Sequence, residues 1–198
     1  MDKKQIAILG GAFDPPTIGH FKLATYVLDN TDVSKVWIVP CYKHMYGKNM
    51  SDFSHRINMC KLTMTDNRIK IMDIEKLIQS NGQTYDLVQS LFKKYGDARE
   101  FSFIIGQDNA NDFHKWYNYE LLQEMIRFIV VPRKGVCNNG SDWYLKPPHI
   151  YLKGSSPIPE ISSTEIRQRI KSNDYGSTFF KHMSLPVFGY IKQNHLYI

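Results

Sequence analysis

Residues 5–20 read QIAILGGAFDPPTIGH, and this stretch decides the fold. Its first five residues form an apolar run that is typical of a buried β-strand. The adjacent Gly10 and Gly11 favour a tight turn directly after that strand. Apolar positions from Gly19 to Leu28 then follow the spacing of a helix. A strand, a glycine turn and a helix in this order predict the first unit of an α/β sheet.

The same alternation continues along the chain. Further apolar runs predict strands at 36–39, 69–72, 101–105, 128–131 and 150–152, and helical patterns lie at 55–64, 84–95, 119–125, 162–171 and 186–193. Apolar strands that alternate with helices indicate a parallel sheet covered on both faces. We therefore predict a single α/β domain over residues 1–198, a doubly wound, Rossmann-like sheet in which 161–198 form the C-terminal helical part. Such sheets bind ligands beyond the carboxyl ends of their strands.

Composition limits the class of protein. The chain has 198 residues, of which 42% are hydrophobic and 22% charged, as in ordinary globular proteins. No apolar window is long enough to span a membrane, and the N-terminus lacks a signal-peptide pattern, so we expect a cytoplasmic protein without a membrane partner. The three cysteines are far apart, which favours free thiols over a disulfide framework or a zinc site.

The net charge of +6 suits an acidic partner. Basic residues are scattered among acids, and no block of five lysines or arginines occurs. A phosphate-rich substrate is the functional interpretation and a nucleic-acid surface is its rival, and the charge alone does not decide between them.

The first loop, Gly10 to His20, has the composition of an anion site. Two glycines let backbone N–H groups approach an anion, and the following helix offers its positive end to phosphate. His20 lies in the first turn of that helix, where it can donate a hydrogen bond to oxygens that gain charge in a transition state. The loop is neither a P-loop nor a G-x-G-x-x-G fingerprint. A plain strand-to-helix turn capped by Thr17 is the simpler alternative.

A second segment rich in candidate phosphate-binding residues, ISSTEIR at 161–167, lies near the other end of the chain. Ser162, Ser163 and Thr164 stand at a predicted helix start, and Arg167 follows one turn later. Hydroxyls, free N–H groups and a guanidinium can together form a phosphate cradle. An ordinary capped helix is the alternative.

Together the two segments resemble the nucleotidyltransferase superfamily. Its signatures are (H/T)-x-G-H, here Thr17-Ile18-Gly19-His20 after GGAFDP, and I-S-S-T-x-I-R, here 161–167. The resemblance implies that His20 stabilises the pentavalent phosphorus, that Mg²⁺ arrives bound with ATP, and that Asp14 helps to place the substrate or the metal. It implies an ATP-binding set of Gly10, Gly11, Phe13, Asp14, Gly19, His20, Ile161, Ser162, Ser163, Thr164 and Arg167.

The middle of the chain resembles nicotinate-nucleotide adenylyltransferases more narrowly. FIIGQDNANDFHKW at 103–116 and the later RFIVVPRKG carry the likeness, which extends along nearly the whole chain. It implies that Trp116 stacks on the pyridine ring, and an aromatic face suits such a flat, electron-poor ring. The implied mononucleotide-binding set is Lys43, Thr84, Tyr85, Gly106, Asp108, Trp116 and Arg133.

Residues 40–59 depart from that family. Their Tyr-Gly-Lys and His-Arg steps resemble the nicotinamide mononucleotide enzymes of eukaryotic type. Lys43, Lys48 and Arg56 become candidates for phosphate contact, with Lys48 and Thr17 joining His20 as candidate catalytic residues. Cationic side chains here would neutralise charge on the leaving pyrophosphate. Thr17 also differs from the pyridine mononucleotide enzymes, because they mostly carry His at this position.

The sequence thus predicts an enzyme of NAD biosynthesis. It would transfer AMP from ATP to nicotinate or nicotinamide mononucleotide, forming deamido-NAD or NAD and pyrophosphate. The acceptor phosphate is already a competent nucleophile, so positioning and charge stabilisation suffice. A pantetheine-phosphate adenylyltransferase, a cytidylyltransferase or a non-catalytic nucleotide sensor are the alternatives, and the assembly state is left open, with a homo-oligomer among the options.

Overall fold

A computed structural model describes residues 4–44, 47, 49–153 and 162–198. Among these residues the strands are β1 (Lys4–Gly11), β2 (Lys35–Pro40), β3 (Ile69–Ile71), β4 (Arg99–Gly106), β5 (Arg127–Val131) and β6 (Ile150–Tyr151). They form one sheet in the order β3-β2-β1-β4-β5-β6, and every neighbouring pair is parallel. This order confirms the predicted doubly wound sheet, and it reverses between β1 and β4, where ligands bind in such folds.

Helices connect the strands. They are α1 (Ile18–Asn30), α2 (Phe53–Thr63), α3 (Ile74–Leu77), α4 (Thr84–Tyr95), α5 (Gln107–Asn111), α6 (Tyr119–Met125), α7 (Ser163–Lys171) and α8 (Leu185–Gln193). Each predicted helix occurs within two residues of its expected bounds. The short α3 and α5 were not predicted, because four or five residues are too few to produce a helical period in the sequence.

Two cores lie on opposite faces of the sheet, since successive residues of a strand point to opposite sides. On one face, Ile8 and Phe103 pack with Leu91 of α4. On the other face, Leu9 packs in a cluster with Val27 of α1. Helices therefore cover both faces, as the continuous apolar strands predict.

A third, smaller core joins the last helices to the rest of the molecule. Met59 of α2 packs with Ile166 of α7 and with Val187 and Ile191 of α8. This packing brings the start of α7, which carries the second motif, against the first loop. No helix in the described part of the chain is long and apolar enough to cross a membrane.

Candidate active site

A cavity of about 350 Å³ opens beyond the carboxyl ends of β1 and β4. It lies at the point where the strand order reverses, as the fold predicts. The predicted site residues that line it are Gly10, Gly11, His20, Lys43, Thr84, Gly106, Trp116 and Arg133. The structure thus brings the first loop and the middle segment to one site, although they are far apart in sequence.

His20 is held in one protonation state by the residue that caps its helix. The backbone N–H of Thr17 donates to His20 Nδ1 over 2.9 Å, and the Thr17 hydroxyl lies 2.9 Å from the same nitrogen. Because a backbone N–H can only donate, Nδ1 carries no proton and the neutral ring carries its proton on Nε2. Burial, reinforced by the positive charge of Arg133, lowers the pKa of His20 to about 4. His20 is therefore a neutral N–H donor beside the cavity at physiological pH.

Thr17 and Phe13 support His20 from behind. Both side chains are only 1% exposed, and neither lines the cavity. The Phe13 ring meets the imidazole nearly edge-on at 5.0 Å, with Phe13 at the positive φ of 48° that the turn requires. Gly11 allows this packing, because a Cβ there would lie 3.3 Å from the Phe13 ring. Gly19 is buried in the first turn of α1. We interpret Thr17 as a residue that orients His20, while its catalytic role stays a prediction.

Asp14 does not face the cavity. It is 2% exposed, its carboxylate accepts from the backbone N–H of Ser51 at 3.3 Å, and the Tyr197 hydroxyl donates to Oδ1 over 2.6 Å. A carboxylate that is buried and bonded to protein donors has little capacity left for a ligand. The expectation that Asp14 places substrate or metal does not fit this geometry; the residue shapes the first loop instead.

The second motif contacts the first loop directly. The Ser163 hydroxyl donates to the carbonyl of Pro15 over 2.8 Å, and Arg167 donates to the carbonyl of Asp14 over 2.7 Å. Arg167 also donates to the hydroxyl of Thr164 over 3.1 Å. Ser162 is the N-cap of α7, and its hydroxyl accepts from Glu165 N at 3.1 Å. The phosphate cradle stays a prediction here, and its first residue, Ile161, lies outside the described residues.

The cationic segment needs one correction. Arg56 is 1% exposed, and its guanidinium donates to the carbonyls of Ser51, Ala12 and Cys41 over 2.8–2.9 Å. Such a side chain joins the loop after β1 to the loop after β2 and is not available to phosphate, so its prediction as a phosphate contact was wrong. The sequence could not reveal this, because the carbonyls come from distant segments. Lys43 lines the cavity as expected, and Lys48 lies outside the described residues.

Aromatic rings form one wall of the cavity. Trp116 packs against Phe113 and Phe103, with ring centres 5.4 and 6.3 Å away. Tyr117, which was not predicted, lines the cavity and meets the ring of Tyr85 edge-on at 5.8 Å. Trp116 lines the cavity as predicted. Tyr85 does not belong to the described lining, but it contacts the lining residue Tyr117. This wall can accept a flat ring.

A charged pair stands beside Gly106. Arg133 Nη1 lies 3.2 Å from Asp108 Oδ2, while Asp108 Oδ1 is buried and has no hydrogen-bond partner among the described residues. Gly106 makes room for both, because a Cβ there would lie 2.4 Å from Asp108 Oδ1 and 2.9 Å from Arg133 Nε. Asp108 itself is not among the described residues that line the cavity, so its contact with the mononucleotide stays a prediction.

Glu75 is a lining residue that the sequence interpretation missed. It is 4% exposed in α3, and its Oε2 accepts from the backbone N–H of Tyr42 over 2.9 Å. Burial raises its pKa to about 7, although the Tyr42 N–H opposes that shift. Its position shortly after β3 is a signal that was available, because the other site segments also follow strands.

Comparisons with known proteins show which family the chain resembles. The chain matches the family model described as Cytidylyltransferase-like over residues 8–169, a range that holds every described residue of the cavity lining. It is 33% identical over 174 residues to nicotinate-nucleotide adenylyltransferase of Bacillus subtilis (strain 168), covering 85% of this chain and 87% of that protein.

Solved structures show the same likeness. Plasmodium falciparum nicotinic acid mononucleotide adenylyltransferase complexed with NaAD is similar to this chain with a TM-score of 0.83 and 25% sequence identity, covering 98% of this chain and 97% of that one. The same Plasmodium protein complexed with APC gives a TM-score of 0.81, also at 25% identity.

Proposed function

Because the chain belongs to the nicotinate-nucleotide adenylyltransferase family, we propose that its acceptor is nicotinate mononucleotide and that the cavity beside His20 is the site of reaction. The enzyme transfers AMP from ATP to a pyridine mononucleotide and releases pyrophosphate, a reaction of NAD biosynthesis. The observation that carries the proposal is the neutral His20, whose Nε2–H stands beside a cavity that also presents Trp116 and Arg133.

The reaction is an in-line displacement. A phosphate oxygen of the mononucleotide forms a bond to the α-phosphorus of ATP, and the bond from that phosphorus to the oxygen bridging the β-phosphate breaks. That oxygen leaves with its electron pair as part of pyrophosphate. The attacking phosphate is already ionised, so the protein needs to supply orientation and charge stabilisation and no strong base. His20 Nε2–H donates to a non-bridging α-phosphate oxygen as its charge grows.

The triphosphate follows the first loop. Gly10 and Gly11 line the cavity without side chains, which lets the backbone approach the phosphates. The start of α7 lies against the same loop and supplies the hydroxyls of Ser162 to Thr164 together with Arg167. Lys43 neutralises charge on the leaving pyrophosphate, and Lys48 and Ile161 complete the predicted set.

The pyridine ring stacks on Trp116. Thr84 is the first residue of α4 and lines the cavity together with Gly82 and Gln83, so the positive end of this 12-residue helix faces the ligand. A helix N-terminus favours a carboxylate over a neutral carboxamide, which supports nicotinate as the ring.

Mg²⁺ enters as part of the ATP substrate in this proposal. Among the described residues no three His, Cys, Asp or Glu side chains gather at one place that could hold a metal ion. A Mg²⁺ ion bound chiefly by phosphate oxygens and water does not need such a cluster. We further propose that the reaction takes place in the cytoplasm, without a nucleic-acid or membrane partner.

An acceptor assay tests the proposal. Purified protein is incubated with MgATP and, in turn, nicotinate mononucleotide, nicotinamide mononucleotide and phosphopantetheine, and each dinucleotide or coenzyme product is quantified. We expect kcat/KM for nicotinate mononucleotide to exceed that for nicotinamide mononucleotide by at least about tenfold, because the ring substituent is read by polar groups. A preference for nicotinamide mononucleotide would overturn nicotinate mononucleotide as the proposed acceptor. No dinucleotide from either, with tight ATP binding, would support the nucleotide sensor instead.

A further inference from the structure

We propose that the hydroxyl of Tyr197 is a positioning group for the first loop, acting through the buried carboxylate of Asp14. The inference rests on the proposed function, since it assumes that the first loop holds ATP next to His20. It assigns a role in the reaction to the segment after α8, which contributes no side chain to the cavity lining.

The contact between the two residues is short and partly buried. Tyr197 Oη donates to Asp14 Oδ1 over 2.6 Å, across 183 residues of sequence. Hydrogen bonds from a hydroxyl to a carboxylate at this distance belong to the strong, charge-assisted class. Burial and the bonded Asp14 carboxylate raise the pKa of Tyr197, so the hydroxyl keeps its proton and donates throughout the physiological pH range.

Tyr197 bonds the side chain of Asp14, whereas the other side chains described here bond the main chain of the loop. Arg56 from α2 donates to the carbonyl of Ala12, Arg167 to that of Asp14, and Ser163 to that of Pro15. These bonds fix main-chain oxygens. Among the described residues, Tyr197 is the side chain that holds the Asp14 carboxylate, the other donor being the backbone N–H of Ser51.

The loop transmits this restraint to the reacting group. Asp14 directly follows Phe13, whose ring packs against His20, and shortly precedes Thr17, whose N–H fixes His20 Nδ1. Loss of the Tyr197 hydroxyl would leave a buried carboxylate with one donor fewer, and the segment would rearrange to satisfy it. Catalysis by position is sensitive to shifts of this size, since a displacement of about 1 Å can cost about a hundredfold. The Trp116 ring packs against Phe103 and Phe113 and would stay unchanged.

Tyr197→Phe tests the proposal, with Tyr190→Phe as its matched control. Tyr190 lies in α8, and its hydroxyl bonds His55 Nδ1 at 2.9 Å and Asn58 Nδ2 at 3.1 Å without touching the first loop. Both changes remove one hydroxyl and keep the ring. We expect Tyr197→Phe to lower kcat about tenfold or more, with KM for the mononucleotide within about twofold, and Tyr190→Phe to behave like wild type. Thermal unfolding midpoints are measured alongside, and assays are run well below the lower one.

A double-mutant cycle separates positioning from general destabilisation. In an Asp14→Ala background, which removes the acceptor, Tyr197→Phe should cause much less further loss of kcat than it does in wild type, because the two residues act through one bond. A wild-type kcat in Tyr197→Phe, an equal loss in Tyr190→Phe, or fully additive losses in the cycle would each overturn the proposal. A wild-type protein that forms no dinucleotide would refute the proposed function instead.

Discussion

At the residue scale, one backbone N–H determines the chemistry of His20. Thr17 donates to Nδ1, so the imidazole cannot be doubly protonated without losing that bond. Burial acts in the same direction by penalising the charged ring. His20 therefore serves as a hydrogen-bond donor whose protonation does not change near neutral pH. The signature Thr17-Ile18-Gly19-His20 locates this residue in the sequence, but the tautomer follows only from the geometry of the helix start.

Gly106→Ala tests the packing at the end of β4. The glycine has ordinary extended dihedral angles, so alanine is tolerated by the backbone, but the added methyl would collide with Asp108 and crowd Arg133. We expect kcat/KM to fall by about tenfold or more, because substrate groups can no longer be placed accurately. Activity measured at saturating and limiting mononucleotide checks this.

Gly189→Ala is the control for that variant. A Cβ at Gly189, within α8, would meet no atom within 4 Å. Alanine should therefore leave activity unchanged and raise the free energy of unfolding by about 0.5–1 kcal/mol, the usual difference from glycine inside a helix. If the two variants retain the same activity, the space beside Gly106 has no functional importance.

At the scale of elements, the short helix α3 shapes the site by fixing the loop after β2. Glu75 accepts from the N–H of Tyr42, the residue next to Lys43, and both Glu75 and Lys43 line the cavity. This bond joins the connection after β2 to that after β3, so two neighbouring strands present their following segments together.

Glu75→Gln tests that role through the pH dependence of stability. The pKa of Glu75 rises from 4.5 to about 7 on folding, so the folded state binds the proton more tightly than the unfolded state does. Its stabilising contribution is complete below pH 4.5 and is lost as the pH rises through 7. Glutamine keeps an acceptor for Tyr42 and removes the titration.

Urea unfolding at pH 5 and at pH 8 measures the effect. From pH 5 to pH 8, the free energy of unfolding of wild type should fall relative to that of Glu75→Gln. The control Glu124→Gln, at an exposed position on α6, should show the same pH dependence as wild type. Parallel behaviour of wild type and Glu75→Gln would mean that Glu75 does not titrate in this range.

The elements also mark the limit of prediction from sequence. The strands and long helices were predictable, because continuous apolar runs and 3.6-residue periods are local patterns. The helices α3 and α5 were not, since one turn of helix is stabilised by its tertiary surroundings more than by its own sequence. Consequently Glu75 was missed, although it lies where the fold places ligands.

At the scale of the whole molecule, contacts between distant segments form the site. The motifs predicted that the first loop and the start of α7 act together, and Ser163 and Arg167 contact that loop. The directions in which individual side chains point could not be predicted from the sequence. Arg56 points inward to three carbonyls, and Tyr197 crosses to Asp14, because α2, α7 and α8 share a core that no local pattern encodes.

The most direct test of the account is the rate of pyrophosphate release from MgATP and nicotinate mononucleotide by wild type and by His20→Ala. If the molecule is built to present His20 Nε2–H to the α-phosphate, the variant should lose about 10²–10³ in kcat, the usual effect of removing one such donor. Its KM for the mononucleotide should stay within a few-fold, because Trp116 and the start of α4 are untouched. Equal kcat values for the two proteins would contradict the account.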